Sequence, residues 1–294
     1  MSLNLDDLYV KQFSSNIELL LQQKNSKFKG TVMSGMHYGE QASPVDQIGS
    51  VEMSEVTGRF QDKQRTDAAV DRRWVAPTSF DLTQIIDHHD KLKLLADPQS
   101  SYVQNAVAAA NRKYDDLIID AFTDAAKTGK SGTGSTSILA ANTIAVNEGS
   151  SSNTGLTVAK LRAARKKLLS YEIDLDVDPI YCAASAEQLD DLLAEAQVIS
   201  MDYNERPVLV DGKINRFLGI NFIHSERLNV NGSSYRRVPV WAKSGMYLGM
   251  WEDMVIDVHQ NKNLRGNPWE VYVMMTAGAT RIEEKKIIDV LCAE

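Results

Sequence analysis

A long stretch with helical apolar spacing, residues 99–127, constrains the fold of this chain more than any other feature. Asp97 is a favourable N-cap, Pro98 suits the first helical position, and Gly129 can end the helix. At 1.5 Å per residue, this helix is about 43 Å long, and so long and alanine-rich a helix is expected to serve as a backbone for other elements. Its apolar stripe, with spacings of three and four residues, comprises Val103, Val107, Ala110, Tyr114, Leu117, Ala121 and Ala125.

The stretch before this helix, residues 34–80, cannot bury a core of its own. Only about a third of its residues are apolar, and glycine and proline interrupt the pattern repeatedly. Two extended runs are predicted at 50–53 and 74–86, and apolar side chains alternate with a period of two in the second. A long hairpin is therefore expected, with the polar stretch 59–73 as its projecting tip. The basic side chains of that tip are Arg59, Lys63, Arg65, Arg72 and Arg73.

The rest of the chain reads as helices followed by strands. A short amphipathic helix is predicted within 5–24, and 129–155 is a glycine- and serine-rich loop or small hairpin. A second helix is predicted at 156–169, where Leu161, Ala164 and Leu168 face inward. Ser185 and Gln188 form a capping box that begins a third helix. The predicted strands are 180–183, 217–223, 238–242, 254–258, 269–276 and 286–291, which makes the fold class α+β.

Charge and cysteine content exclude some classes of protein. The chain carries 32 basic and 39 acidic residues, a formal charge of -7, which argues against nonspecific nucleic-acid binding as its main activity. Two local basic runs, 59–73 and 160–167, are either solvated faces or contacts with an acidic surface, protein or nucleic acid. Two cysteines are too few for a disulfide framework and favour free thiols in a reducing compartment. No apolar run approaches the ~20 residues that span a bilayer, so no membrane partner is expected.

Motifs that carry chemistry are incomplete in this sequence. Residues 129–131 read Gly-Lys-Ser but lack the first glycine of a P-loop. The aspartates at 174, 176 and 178 lack the glycine and glutamate of an EF-hand loop, which favours a strand with one acidic face. Adjacent histidines in 87–90 would point to opposite faces of a strand, so they cannot easily bind one metal ion. We therefore predict no catalytic, cofactor or metal site.

The order of elements resembles the major capsid protein of tailed bacteriophages, which has the HK97-like fold. Residues 178–185, with the helix that follows, look like that family's strand-to-helix step. Residues 217–225 resemble its leucine, glycine and short-strand segment, and 278–292 are similar to its closing strand. The motifs are individually weak, and the similarity rests on their order over nearly the whole chain.

The resemblance implies a domain organisation. Residues 1–33 would be an N-terminal arm, and 34–90 an extended hairpin called the E-loop. Residues 91–155 would belong to the peripheral P-domain, whose spine helix covers about 98–128. Residues 156–260 would form mainly the axial A-domain, and 261–294 would be strands returning to the P-domain.

The resemblance also implies partners and location. The chain would be a structural protein, not an enzyme, that assembles with itself into hexamers and pentamers of an icosahedral shell. The shell would enclose double-stranded DNA without sequence-specific binding. Further expected partners are a separate scaffolding protein, a portal protein and, in some members, a cement protein. The location would be the virion, after assembly in the host cytoplasm, and the basic hairpin tip would contact an acidic surface of a neighbouring subunit.

Two alternative functions stay open at this point. An encapsulin-type nanocompartment shell shares the fold but encloses an enzyme cargo. A soluble oligomeric enzyme with an extended arm belongs to a different class. Particle size would separate the enzyme from a shell, and packaged DNA would separate the phage capsid from the encapsulin.

Overall fold

The computed structural model describes residues 22–40, 42–55, 58, 62, 65–86, 99–175, 177–195, 209–210 and 213–294. Within these residues there are three α-helices: α1 (Gln99–Thr123), α2 (Val158–Ser170) and α3 (Ala186–Ala194). None of them combines the length and the apolarity that a membrane-spanning helix requires. The predicted N-cap of α1 and the paired histidines of 87–90 lie outside the described residues. Most of the predicted N-terminal helix lies outside them as well.

The strands of the described residues are β1 (Met33–Met36), β2 (Ala42–Ile48), β3 (Val70–Val75), β4 (Thr78–Ile86), β5 (Ala126–Thr128), β6 (Gly134–Thr136), β7 (Thr143–Ile144), β8 (Ile180–Ala184), β9 (Leu209–Val210), β10 (Lys213–Ile214), β11 (Arg216–Phe217), β12 (Ile220–His224), β13 (Arg236–Ala242), β14 (Met246–Gln260), β15 (Trp269–Arg281) and β16 (Ile287–Cys292). They form three larger sheets, with the orders β1-β14-β15-β4, β11-β12-β8-β13-β16-β7 and β2-β3-β5-β6, and the two-stranded pair β10-β9. Helices and strands are mixed, as an α+β fold requires.

The chain divides into two compact units. One comprises the described residues of 1–26, 79–113 and 252–276, and the other those of 27–78, 114–251 and 277–294. Helix α1 and strands β14 and β15 each contribute residues to both units. The larger unit contains the six-stranded sheet and both short helices.

The main core lies in the larger unit, where α2 and α3 pack on the six-stranded sheet. Leu161, Ala164 and Leu168 of α2 are fully buried, as the sequence pattern predicts. Ser185 and Gln188 form the predicted capping box at the start of α3. The apolar side chains of β8, β13 and β16 complete this core, and the predicted short strand at 180–183 is confirmed as β8.

Helix α1 ends earlier than the sequence pattern predicts. It stops at Thr123, because the chain then enters β5, which pairs with β3. Gly129 has φ of 85°, as expected of a left-handed glycine, but it lies in the turn between β5 and β6. The predicted apolar stripe is correct at Ala110, Tyr114 and Ala121, which are buried, whereas Ala125 is exposed beyond the helix end.

Three further predicted elements differ from the structure. The run 217–223 is two strands, β11 and β12, separated by Leu218 and Gly219, which both have positive φ and form a tight hairpin turn. The acidic stretch 174–178 is an irregular turn, not a strand, in its described residues. The run 254–258 lies in the C-terminal half of the much longer strand β14.

Candidate functional site

The hairpin formed by β2 and β3 is the segment with the most unusual surface. The strands pair antiparallel, with Asp46 opposite Arg72, Gln47 opposite Asp71 and Ile48 opposite Val70. The predicted strand at 50–53 is wrong, because the described residues there are irregular and β2 lies further towards the N-terminus. Pro44 hid β2 from the sequence pattern, since proline weakens a strand prediction. It is accommodated here on an edge strand, beside a register shift between residues 42 and 45.

The second predicted run, 74–86, also divides. It forms the end of β3 and all of β4, with a break at residues 76–77. In β3 the buried side chains are Arg73 and Val75, not Trp74, so the predicted face is wrong there. In β4 the alternation is confirmed, because Phe80, Leu82 and Ile86 are the less exposed residues.

The predicted basic tip residues lie in different environments. Arg59 and Lys63 are outside the described residues. Arg65 lies in the connection between the strands, where it is exposed and pairs with the nearby Asp67 at 2.9 Å. Arg72 lies on β3 rather than at the tip, and its Nε and Nη2 atoms bind the two carboxylate oxygens of Asp46 on β2. The guanidinium of Arg72 therefore links the two strands across the outer face of the hairpin.

Arg73 contradicts the interpretation as an exposed tip residue, since only 5% of it is exposed. Its Nη2 donates to Glu284 Oε2 at 2.7 Å, its Nη1 to Asp71 Oδ2 at 2.8 Å and its Nε to the Ile282 carbonyl at 2.9 Å. Gln47 on β2 donates to the same carbonyl. We call Arg73, Asp71, Gln47, Glu284 and the Ile282 carbonyl the Arg73 cluster. It fastens both strands of the hairpin to the segment that follows β15.

Hydrogen bonds also hold Asp71 in its charged form. The backbone N–H of Arg72 donates to Asp71 Oδ1 at 2.8 Å, and that of Gly129 donates to the same atom at 3.2 Å. The Arg72 N–H, then the Gly129 N–H and the charge of Arg73 lower the pKa of Asp71 below its usual value, against a smaller opposing effect of burial. The anchor is thus an ionic one at neutral pH.

Arg281, next to Ile282, extends this anchoring to helix α1. It is fully buried, and its Nη1 donates to the carbonyls of Ala121 and Phe122 in the last turn of the helix. A cation at this position satisfies carbonyls that have no partner within the helix and interacts favourably with the helix dipole. Sequence reasoning missed Glu284 and Arg281, because their partners lie on distant segments. For Arg73 itself the sequence contains one local signal of burial. The period of two places Asp71, Arg73 and the apolar Val75 on the same face of β3.

The other predicted basic run, 160–167, is not a single solvated face. Lys160 is fully buried, and its Nζ donates to the carbonyls of Thr154, Gly155 and Leu291 at 2.7 to 2.9 Å. Burial lowers the pKa of Lys160. Lys167 donates to the carbonyl of Thr143. Arg162 and Lys166 are exposed, and Arg165 is half-buried.

Large apolar side chains project from the hairpin into solvent. Ile48 is 74% exposed, and Met53, in the connection after β2, is completely exposed. Val51 and Val70 are also exposed, and Val70 is the cross-strand neighbour of Ile48. Neighbouring exposed apolar side chains of this kind are typical of protein interaction sites. Polar contacts thus anchor the base of the hairpin, whereas its large apolar side chains are exposed to solvent in the subunit.

Reactive chemistry finds little support in the described residues. No group of three His, Cys, Asp or Glu side chains there is placed to bind a metal ion. Cys182 and Cys292 are free and buried. Burial raises the pKa of both thiols, that of Cys292 to about 12, so neither has the thiolate character of a nucleophile.

Comparisons with known proteins agree with this description. A family model described as phage capsid protein matches residues 5–294. A search of curated proteins gave no match. Among solved structures, the chain is similar to the capsid of cyanophage P-SCSP1u, with a TM-score of 0.75 and 13% identity over 100% of this chain and 96% of that chain. It is equally similar to the capsid of cyanophage Pam1, with a TM-score of 0.75 and 12% identity over 99% and 98% of the two chains. The capsid of a native GTA particle gives a TM-score of 0.68 and 12% identity over 98% and 96%.

These similarities extend over the whole length of the chains compared, and the resemblance inferred from the order of elements is confirmed. At 12–13% identity the structural likeness establishes the fold, which is HK97-like. The family match over residues 5–294 shows that this chain belongs to the phage capsid protein family, with a structural role in the capsid.

Proposed function

We propose that copies of this chain assemble into hexamers and pentamers that tile an icosahedral shell around double-stranded DNA. In that shell, the β2–β3 hairpin of one subunit lies over its neighbour. The observation that carries this proposal is the apolar surface of the hairpin, which includes Ile48, Val51, Met53 and Val70. A single subunit leaves these side chains in water, whereas a neighbour in the shell covers them.

The domain assignment follows the family resemblance. The N-terminal arm is 1–33, the E-loop 34–90 and the P-domain 91–155 with α1 as its spine. The A-domain is mainly 156–260, and 261–294 return to the P-domain. The Arg73 cluster then lies at the base of the E-loop. The hydrogen bonds from Arg73 to Glu284 and to the Ile282 carbonyl fix the direction in which the loop leaves the subunit.

Partners follow from charge and from the family. A formal charge of -7 suits a shell that contains DNA without binding it tightly or sequence-specifically. A separate scaffolding protein, a portal protein and, optionally, a cement protein complete the assembly, which takes place in the host cytoplasm. Arg65 in the exposed connection is suited to contact an acidic surface of the neighbour. The chain itself has no enzymatic activity in this proposal.

A pair of matched double variants tests the role of the hairpin. Val51→Ser/Met53→Ser removes exposed apolar side chains from the hairpin. Val177→Ser/Val230→Ser removes comparably exposed ones elsewhere. Both variants are expected to melt like the unmutated subunit, because all four side chains are solvent-exposed. Electron microscopy of protein co-expressed with its scaffold should show shells for the control and few or none for the hairpin variant.

Three results would contradict the proposal. Normal shells from the hairpin variant would exclude this surface from the subunit contact. An unmutated protein that stays a small oligomer under all assembly conditions would exclude a shell altogether. Shells that contain protein cargo and no DNA would instead indicate a nanocompartment.

A further inference from the structure

The outward face of α2 carries an open groove of about 600 Å³. It lies opposite the face that buries Leu161, Ala164 and Leu168. Its basic side chains are Arg162, Arg165 and Lys166, and Ala163, Leu169 and Leu218 line it with apolar surface. The groove therefore combines a positive rim with an apolar floor.

The cations of this groove have no acidic partner in the part of the chain that the structure describes. Arg162 and Lys166 are exposed and form no ion pair with a described residue. The Nε of Arg165 is shielded from solvent and lacks a hydrogen-bond partner, which is a cost that a bound acceptor would remove. Among the lining residues, Glu148 is the single acid against three bases. Such a groove selects an acidic ligand.

The apolar floor favours a protein over a nucleic acid as that ligand. Leu169 is 47% exposed, although it belongs to a helix whose other leucines at 161 and 168 are completely buried. Phosphates would pair with the cations but would leave Leu169 and Leu218 in water. A helix that carries acidic and apolar side chains covers both parts of the groove.

Helix α3 of the same chain presents exposed acids, and its apolar contribution is the exposed Ala186 and Ala194, since Leu189 and Leu193 pack against the core of their own subunit. Glu187 and Asp190 lie one turn apart and are exposed, and neither forms an ion pair with a described residue. The other acids of this region, Asp191 and Glu195, instead accept hydrogen bonds from the backbone of Leu156 and Val158. Glu187 interacts with Arg236 through charge but without a close ion pair. Each subunit thus carries a basic groove and an acidic helix face that form no close ion pair among the described residues.

We propose that the α2 groove of one subunit receives the Glu187–Asp190 face of α3 from the next subunit around a capsomer. The two surfaces are different, so the contact is head-to-tail, and a head-to-tail contact closes into a ring when the rotation between neighbours is a whole fraction of a turn. This inference rests on the proposed assembly into hexamers and pentamers and identifies surfaces that hold those rings together. A single exposed ion pair contributes little stability, but a ring repeats the contact at every interface.

Charge reversal tests the pairing directly. A basic-reversal variant, Arg162→Glu/Lys166→Glu, and an acidic-reversal variant, Glu187→Lys/Asp190→Lys, should each form rings at least tenfold less than the unmutated protein at the same concentration. The fourfold variant that combines both should recover them, because the charges are then exchanged rather than opposed. Lys127→Glu/Lys130→Glu, which reverses two exposed cations near the β5–β6 turn, is the matched control and should assemble normally. Mass photometry measures the rings.

A mixture of the two reversal variants gives a sharper test of the head-to-tail geometry. Alternating subunits place opposite charges at every interface of a six-membered ring. A five-membered ring cannot alternate completely and retains one repulsive interface. The mixture should therefore recover hexamers and not pentamers.

Several outcomes would overturn the inference. One is failure of both the fourfold variant and the mixture to recover rings while all variants melt normally. Another is a basic-reversal variant that forms normal shells with less packaged DNA, which would show that the groove faces nucleic acid. Rings from every variant would overturn the inference and leave the shell proposal intact. Absence of any oligomer from the unmutated protein would overturn both.

Discussion

The six-stranded sheet and the β2–β3 hairpin belong to the same compact unit but are stabilised by different interactions. In the sheet, side chains such as Val240 and Ile288 are completely buried, and α2 and α3 cover it with leucines. In the hairpin, Ile48 and Val70 are exposed, and the buried contacts of the base are made by the polar Arg73 cluster. The comparison indicates that apolar burial within one subunit stabilises the sheet, whereas a few polar anchors hold the hairpin in position.

The largest expected effect of a single substitution lies in the sheet layer. Leu161→Ala should lower the free energy of unfolding by about 3–4 kcal/mol, because Leu161 is completely buried and a cavity would remain. Leu169→Ala on the same helix should cost less than about 1 kcal/mol, since Leu169 is partly exposed. Urea unfolding measures both. Equal effects would show that α2 does not belong to the stable core.

Lys160 tests whether the sheet layer also depends on a polar anchor. Lys160→Met should cost about 2–3 kcal/mol, because the carbonyls of Thr154, Gly155 and Leu291 would lose a buried donor. Lys166→Met, on the outward face of the same helix, should change the free energy by less than about 0.5 kcal/mol. If the two variants unfold alike, the contacts of the buried ammonium do not stabilise the subunit.

The sequence predicts the six-stranded sheet and its helices better than it predicts the β2–β3 hairpin. The reason is that different interactions stabilise the two regions. Helix α2, strand β8 and the capping box of α3 follow from local signals, since apolar spacing and cap residues act over a few positions. Arg73 and Lys160 could not be placed from sequence. Arg73 donates to the carbonyl of Ile282, 209 residues away, and Lys160 donates to that of Leu291, 131 residues away, as well as to the nearby carbonyls of Thr154 and Gly155. A charged side chain in isolation is expected to be exposed, and only the tertiary fold shows the carbonyls that bury it.

The candidate site was predicted in outline and wrong in detail for the same reason. A polar hairpin was expected between residues 34 and 90, and β2 and β3 do pair there. The interpretation of a continuous basic tip fails because Arg72 and Arg73 occupy a strand, where Asp46 and Glu284 neutralise them. The sequence identifies the charged residues but not their partners. Strand register places Asp46 beside Arg72, and the tertiary fold brings Glu284 to Arg73.

The Arg73 cluster should control the opening of the hairpin base. Glu284→Gln keeps the size of the side chain but removes its charge, so the protection of amides in β3 against hydrogen exchange should fall by the equivalent of about 1–2 kcal/mol. The amides of β13 and β16 in the sheet should be unaffected. Glu283→Gln is the control, because among the described residues the Glu283 carboxylate forms a single ion pair, a longer one with Lys286 at 3.5 Å. Loss of protection throughout the sheet would show that hairpin and sheet unfold as one unit.

The smallest expected effect is a pH dependence confined to the hairpin base. The pKa of Asp71 is lowered in the folded state by the Arg72 N–H, with the Gly129 N–H and Arg73 adding to it. The unfolded chain then binds more protons than the folded chain as the pH falls, so acid favours opening. The contribution is fully present above the unfolded pKa of about 3.9 and is lost as the pH falls through the folded pKa. Because Asp71 is partly exposed, solvent screening keeps this contribution below about 1 kcal/mol. Protection factors of the β3 amides should therefore fall below about pH 4 more steeply than those of β13. Asp71→Asn should remove that difference, whereas Asp67→Asn, in an exposed pair with Arg65, should preserve it. A pH dependence that persists in Asp71→Asn would mean that another carboxylate controls the hairpin base.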